Sequence, residues 1–191
     1  MIRTDRNLAY EHIIQGGIVM SLNFKLDGDD EFIKGLELLQ SNEPFHLRKA
    51  FSHFCAAAEK GHIEAIFQVG YLCMYGGFEI ARNDLKAVEC FKKAADEGIV
   101  AAKFYLAICY LYSLGIEENR EAAIKLFEES FHSGWIWSAD WLSDIYRLGM
   151  GVPVNRDKAL EYIQYARQAG LPNAELKYLH CLALPKEGER N

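Results

Sequence analysis

Four glycines stand in one register along this chain: Gly61, Gly98, Gly134 and Gly170, separated by 37, 36 and 36 residues. Eleven residues before each is an alanine (Ala50, Ala87, Ala123, Ala159), and seven before is a large apolar residue (Phe54, Phe91, Phe127, Ile163). Four before stand Ala57, Ala94, Ser130 and Ala166; four after stand Ala65, Ala102, Ser138 and Ala174. With glycine at roughly 7% of an average chain, four in a preset register have odds on the order of 1 in 40,000. The chain is therefore built from an internal repeat. A period of 36 to 37 residues accommodates two helices and two turns, one helical hairpin of a solenoid.

Counted from each repeat glycine, the residues at −11, −7 and −4 follow i, i+4, i+7 spacing and share one face of a first helix. Its small members let a second helix approach closely, and the large one fills the groove between them. The glycine comes straight after that helix, where a left-handed C-terminal cap is wanted. A second helix follows, with the small residue at +4, Val69, Leu106 or Leu142 at +8, and Gly70, Ala107 or Ser143 at +9. Asn83, Asn119 and Asn155, each fifteen before a repeat glycine, are placed as N-caps of first helices. Pro44, Pro153, Pro172 and Pro185 fall at turns or past the last helix, where proline does least harm.

The second helices carry the features of a known family. Leu142-Ser143-Asp144-Ile145-Tyr146-Arg147-Leu148-Gly149-Met150-Gly151-Val152, followed by Asp157-Lys158-Ala159, resembles the Sel1-like repeat, a relative of the tetratricopeptide repeat. The second unit keeps Leu106-Ala107-Ile108-Cys109-Tyr110 and shortens its loop to Gly115-Ile116; the first keeps Gly70-Tyr71-Leu72 and Gly76-Gly77. The resemblance covers about residues 44 to 184. It implies an all-α fold: a right-handed superhelical solenoid of antiparallel helix pairs, about four repeats plus a leading orphan helix. That orphan is Asp29 to Gln40, since Gly35 and Leu38 fall where Gly70 and Cys73 fall one unit later. At the far end, +9 is Leu179 rather than a small residue, which suits a terminal helix that no further repeat must pack against.

These readings divide the chain into a partly flexible leader (1–27), the solenoid (28–185) and a short tail (186–191). Threonine occurs once, at Thr4, and no alternating strand pattern stands between residues 28 and 184. The formal charge is −6, and residues 1–43 hold four basic and eight acidic residues. No basic stripe is present to neutralise phosphates, so nucleic acid is not expected as a partner. The apolar stretch Ile13 to Leu22, broken by Gln15, Gly16 and Gly17, is too short to span a bilayer and makes a poor secretory signal. No membrane insertion is expected, and the leader is read as an extra segment packed on the first hairpin. Met20 is an alternative initiator.

Five cysteines (Cys55, Cys73, Cys90, Cys109, Cys181) lie 18, 17, 19 and 72 residues apart, with no CxxC. An odd number without register argues against a disulfide framework or a zinc site. A secreted branch of the family staples each hairpin with a regular cysteine pair, and that pattern is missing. Free thiols and a cytoplasmic location are expected. The six histidines are scattered, His62 just after a repeat glycine, and no catalytic motif or phosphate loop is present. No metal, cofactor or enzymatic activity is expected. Peptidoglycan or β-lactam chemistry, proposed for the cysteine-rich relatives, is only a remote alternative.

What remains is surface. By resemblance, first helices line the concave side of such superhelices. The candidates there, at −9 and −5, are Ser52 and Ala56, Glu89 and Lys93, Lys125 and Glu129, Glu161 and Tyr165. They describe a groove of mixed charge with an aromatic end. All three tryptophans (Trp135, Trp137, Trp141) fall within seven residues of the third repeat. Tryptophan is enriched in interface hot spots, so Trp135 and Trp137 are candidates for an exposed contact patch. The alternative is that one or both rings fold back into the groove between repeats. The resemblance implies a non-catalytic module that binds another protein, an adaptor or regulator, as a monomer or weak dimer. A second reading is an immunity protein that neutralises one bacterial toxin or effector.

Overall fold

A computed structural model describes residues 27–40, 44–77 and 79–185. The leader, apart from residue 27, and the tail lie outside the described residues. Among those described, nine α-helices follow one another: α1 (Asp29–Gln40), α2 (Pro44–Glu59), α3 (Ile63–Tyr75), α4 (Asp84–Asp96), α5 (Val100–Tyr112), α6 (Arg120–His132), α7 (Trp137–Leu148), α8 (Arg156–Gln168) and α9 (Ala174–Leu182). Their only β-pairing is a single bridge between Gly77 and Ile80. Each helix packs chiefly on the helix before it and the helix after it. The result is an all-α solenoid, α1 standing alone before four helix pairs.

The repeat glycines earn their place through backbone conformation. Gly61, Gly98, Gly134 and Gly170 have φ of 88°, 91°, 91° and 72°, and a Cβ added to any of them would meet nothing within 4 Å. Glycine is needed because L side chains avoid that conformation. The next amide then turns back to the carbonyl of the small residue at −4. His62 reaches Ala57 at 3.1 Å, Ile99 reaches Ala94 at 2.9 Å, Trp135 reaches Ser130 at 2.9 Å, and Leu171 reaches Ala166 at 3.0 Å.

Helix starts obey the same register. The side chains of Asn83, Asn119 and Asn155 accept the amides of Lys86, Ala122 and Lys158 at 3.0, 2.9 and 2.9 Å, as N-caps should. His62 does the same for α3, its Nδ1 accepting the Ala65 amide at 3.3 Å.

Gly35 and Gly70 serve a different need, which is space. A Cβ on Gly35 would lie 2.5 Å from the Phe54 ring, and one on Gly70 would lie 2.8 Å from Cys90 Cβ and 3.0 Å from the Phe91 ring. The second helix of each unit is thus hollow where the large residue of the next first helix enters. That equivalence confirms α1 as an orphan second helix. Phe54, Phe91, Phe127 and Ile163 are fully buried at these junctions, each worth roughly 1.5–3 kcal/mol. Within a hairpin the −4 and +4 residues meet; where both are serine, Ser130 and Ser138 share a hydroxyl hydrogen bond of 2.6 Å. Among the described residues no helix is long and apolar enough to cross a membrane.

Candidate protein-interaction surface

The −9 and −5 positions all lie on first helices, where the spacing puts them on the side away from the core. Ser52, Glu89, Lys93, Lys125, Glu161 and Tyr165 are exposed; Ala56 and Glu129 are half-buried. Glu89 takes a 3.3 Å contact from Lys86 one turn earlier. Glu129 is committed inward: its carboxylate accepts Lys103 Nζ at 2.8 Å, joining α5 to α6. That hydrogen bond holds the Glu129 carboxyl below its ordinary range.

Tyr165 does not stand alone at the aromatic end. Its ring, 44% exposed, packs edge-on against Phe131 at 5.1 Å, and Phe131 meets Tyr162 at 5.5 Å. Tyr162 in turn stacks on Tyr146 at 5.8 Å. Burial, then the negative charge of Glu128 and the neighbourhood of Tyr146, Glu161 and Tyr165, push the Tyr162 hydroxyl up to about 12. The Tyr146 hydroxyl donates to Glu128 at 3.3 Å, and Lys158 Nζ sits 4.6 Å over the Tyr146 ring. Tertiary packing therefore gathers four rings from α6, α7 and α8. Sequence spacing found Tyr165 and missed Phe131, Tyr162 and Tyr146, which no repeat position marks as a group.

The tryptophans need a correction. Trp135 is 8% exposed and belongs to the core. It occupies +1, and its ring lies 6.0 Å from Phe104 on the preceding second helix. His62 at the same position stacks on Phe32 at 4.3 Å. The +1 side chain is thus a wedge between repeats, which removes Trp135 from any surface offered to a partner. Trp141 stacks on Phe127 of its own hairpin at 5.6 Å, as Tyr105 stacks on Phe91 at 5.5 Å. Trp137 and Trp141 are both half-buried.

A second feature missed from sequence is ionic. Asp140 stands at +6, where Phe67 and Phe104 stand elsewhere. Lys177 of α9 reaches across to it at 2.6 Å and to Asp144 at 2.7 Å, and Arg147 also holds Asp144, at 2.7 Å. Burial raises the Asp140 carboxyl despite its cation. Burial opposes the charge on Lys177, but its two carboxylate hydrogen bonds outweigh that and raise it. The cluster ties α7 to α9.

Reactive groups are held quiet. Burial pushes the Cys90 thiol up to about 11 and the Cys109 thiol to about 12, and raises Cys55, Cys73 and Cys181 as well. A thiol with raised pKa is a poor nucleophile at neutral pH. His62 is buried between Phe32 and Asp29, its Nε2 lying 3.1 Å from the Asp29 carboxylate. His53 meets Glu31 at 2.5 Å, which lowers the Glu31 carboxyl. Both histidines fasten the orphan helix to the first hairpin. Among the described residues no group of three or more His, Cys, Asp or Glu is arranged to hold a metal ion.

Comparison with known proteins agrees with this geometry. Protein sel-1 homolog 2 of Homo sapiens is 28% identical over 99 residues, which is 51% of this chain and 14% of the relative. Chitin synthase regulatory factor 3 of Schizosaccharomyces pombe is 37% identical over 68 residues, 36% of this chain and 7% of that protein. The chain thus spans a small part of the curated relatives it matches. The crystal structure of a Sel1 repeat protein from Oxalobacter formigenes superposes with a TM-score of 0.69 at 26% identity, over 84% of this chain and 48% of that one. A protective antigen of uropathogenic Escherichia coli shares the fold, with a TM-score of 0.52 at 20% identity over 94% of this chain and 44% of the other. The sequence profile of the Sel1 repeat matches residues 47–62, 63–99, 100–134 and 138–171, which run from α2 to α8. The chain belongs to the Sel1 repeat family, whose repeats form protein-interaction modules.

Proposed function

We propose that this chain is a non-catalytic adaptor or regulator that binds a partner protein on its first-helix face, with Tyr165 as the anchor. The observation that carries the reading is the half-exposed Tyr165 ring backed by Phe131 and Tyr162. A tyrosine held rigid by neighbouring rings offers large contact area at little entropic cost, and tyrosine is enriched in binding hot spots. Glu161 and Lys125, both exposed, provide a charged rim, with Glu89 and Lys93 extending it towards the earlier repeats. The regulatory role named for the Schizosaccharomyces pombe relative supports a regulator over an enzyme. Five cysteines that are free in the structure fit a reducing compartment such as the cytoplasm.

The test is affinity capture from the native cell lysate, read by mass spectrometry, with wild type beside Tyr165→Ala and Trp137→Ala. One dominant partner lost on Tyr165→Ala, with an unchanged melting temperature, is the expected result. A partner kept by Tyr165→Ala but lost on Trp137→Ala would move the site to the inter-helix turn of the third repeat. If no specific partner is captured, the adaptor reading fails. A captured toxin or effector would instead select the immunity role.

A further inference from the structure

Phe131 stands at −3 of the third repeat and packs on Tyr165 at −5 of the fourth. The same two positions at the earlier junctions hold Ala58 with Lys93, and Ala95 with Glu129. Of these three junctions the last alone carries a ring pair, and carboxylates accompany it. Glu161 lies one turn before Tyr165 on α8, and both are exposed. Glu128 lies one turn before Phe131 on α6 and accepts the Tyr146 hydroxyl at 3.3 Å. Both negative charges reach the neighbouring Tyr162 hydroxyl and help burial to raise it.

Rings in this part of the molecule already take cations on their faces. Lys158 Nζ sits 4.6 Å over Tyr146, and the Arg167 guanidinium sits 4.4 Å over Tyr178. Each of these cations has a further partner within the chain, Lys158 in the Tyr146 hydroxyl at 3.3 Å and Arg167 in Glu175 at 2.7 Å. Tyr165 differs. Its ring is 44% exposed and meets Phe131 edge-on. Among the described residues no cation lies over it, and none pairs with Glu161. The face of an aromatic ring is its negative side, and here a carboxylate stands one turn away.

We propose that this cluster binds a basic side chain of the partner protein, an arginine stacked on Tyr165 and paired with Glu161. The assignment rests on the reading that Tyr165 anchors a partner, and it names the chemistry recognised there. Charge complementarity selects the occupant. An apolar side chain seated on Tyr165 would take water from Glu161 and return no counter-charge, and an acidic one would be repelled. Arginine fits better than lysine, because its planar, weakly hydrated guanidinium stacks on a ring while its fork meets a carboxylate. The net charge of −6 favours the approach of a basic segment.

Titration of the full chain with the peptide acetyl-Gly-Arg-Gly-amide, followed in amide NMR spectra, tests this beside the citrulline and glutamate counterparts of that peptide. Shifts centred on Glu161 and Tyr165, with a dissociation constant on the order of millimolar, are expected from the arginine peptide alone. Tyr165→Phe keeps the ring face and should keep the affinity, whereas Tyr165→Leu should weaken it about threefold or more. Glu161→Gln should weaken it by a similar factor and remove most of its salt dependence. No shift at about 10 mM peptide, equal shifts from the citrulline peptide, or an affinity unchanged in Tyr165→Leu would overturn the proposal. The result is separable from the partner reading. Capture lost on Tyr165→Ala without arginine binding would keep the surface and remove its cation. Arginine binding with capture unchanged would keep the cation site and sink the adaptor surface.

Discussion

Trp135 and His62 are chemically unlike, yet they do the same work. Each is the first residue after a repeat glycine, and each inserts between units against a ring of the preceding helix, Phe104 or Phe32. The position takes a bulky wedge, Ile99 and Leu171 filling it in the other repeats, and composition alone does not say whether a tryptophan there faces water. Trp135→Ala should therefore cost about 3 kcal/mol, the usual loss for a buried aromatic, measured by chemical denaturation; a change below about 1 kcal/mol would return the ring to the surface. Tyr165 shows the reverse case. Its spacing from Gly170 placed it correctly on the exposed face of α8, because helical periodicity fixes which side of a helix a residue occupies. The ring it packs on, Phe131, comes from α6, and no local pattern could pair the two.

Single helices follow local rules closely enough to be tested one cap at a time. Asn119 accepts the Ala122 amide at 2.9 Å at the start of α6, so Asn119→Ala should cost about 1 kcal/mol, read from the denaturation midpoint. The contact between α5 and α6 carries a pH signature. Lys103 lowers the Glu129 carboxyl from its ordinary 4.5, so the folded state prefers it ionised. The stability this gives is present above about pH 4.5 and is lost as pH falls through the lowered value. Both side chains are partly solvated, so the effect is discounted to about 0.5 kcal/mol. Wild type and Glu129→Gln should differ by that much at pH 7 and converge as pH falls through the lowered value; a constant gap across the range would assign the difference to packing.

At the scale of the whole molecule, contacts run chiefly between neighbouring helices, so damage at one end should stay local. Lys177 is the tether of α9, held by Asp140 and Asp144. Lys177→Met leaves two part-buried carboxylates sharing only Arg147. Hydrogen exchange should then speed up in α9 by about tenfold or more, corresponding to roughly 1.4 kcal/mol of local opening. Protection in α3 to α5 should stay as in wild type. Uniform loss along the chain would mean that the stack opens as one cooperative body.

The amino-acid order alone determined the architecture. Repeat glycines, small-residue positions and asparagine caps are local, sterically forced requirements of a helix pair, and each recurs four or three times in register. The orphan helix was legible for the same reason, since Gly35 answers to Gly70. Tertiary structure alone decided which side chains from different units meet. The inward turn of Trp135 onto Phe104, the seating of Phe131 against Tyr162 and Tyr165 and the Asp140–Lys177 tether each join residues 31 to 37 positions apart. Such pairings depend on how one hairpin seats on the next, and a pattern that repeats within each unit does not encode a partner that differs between units.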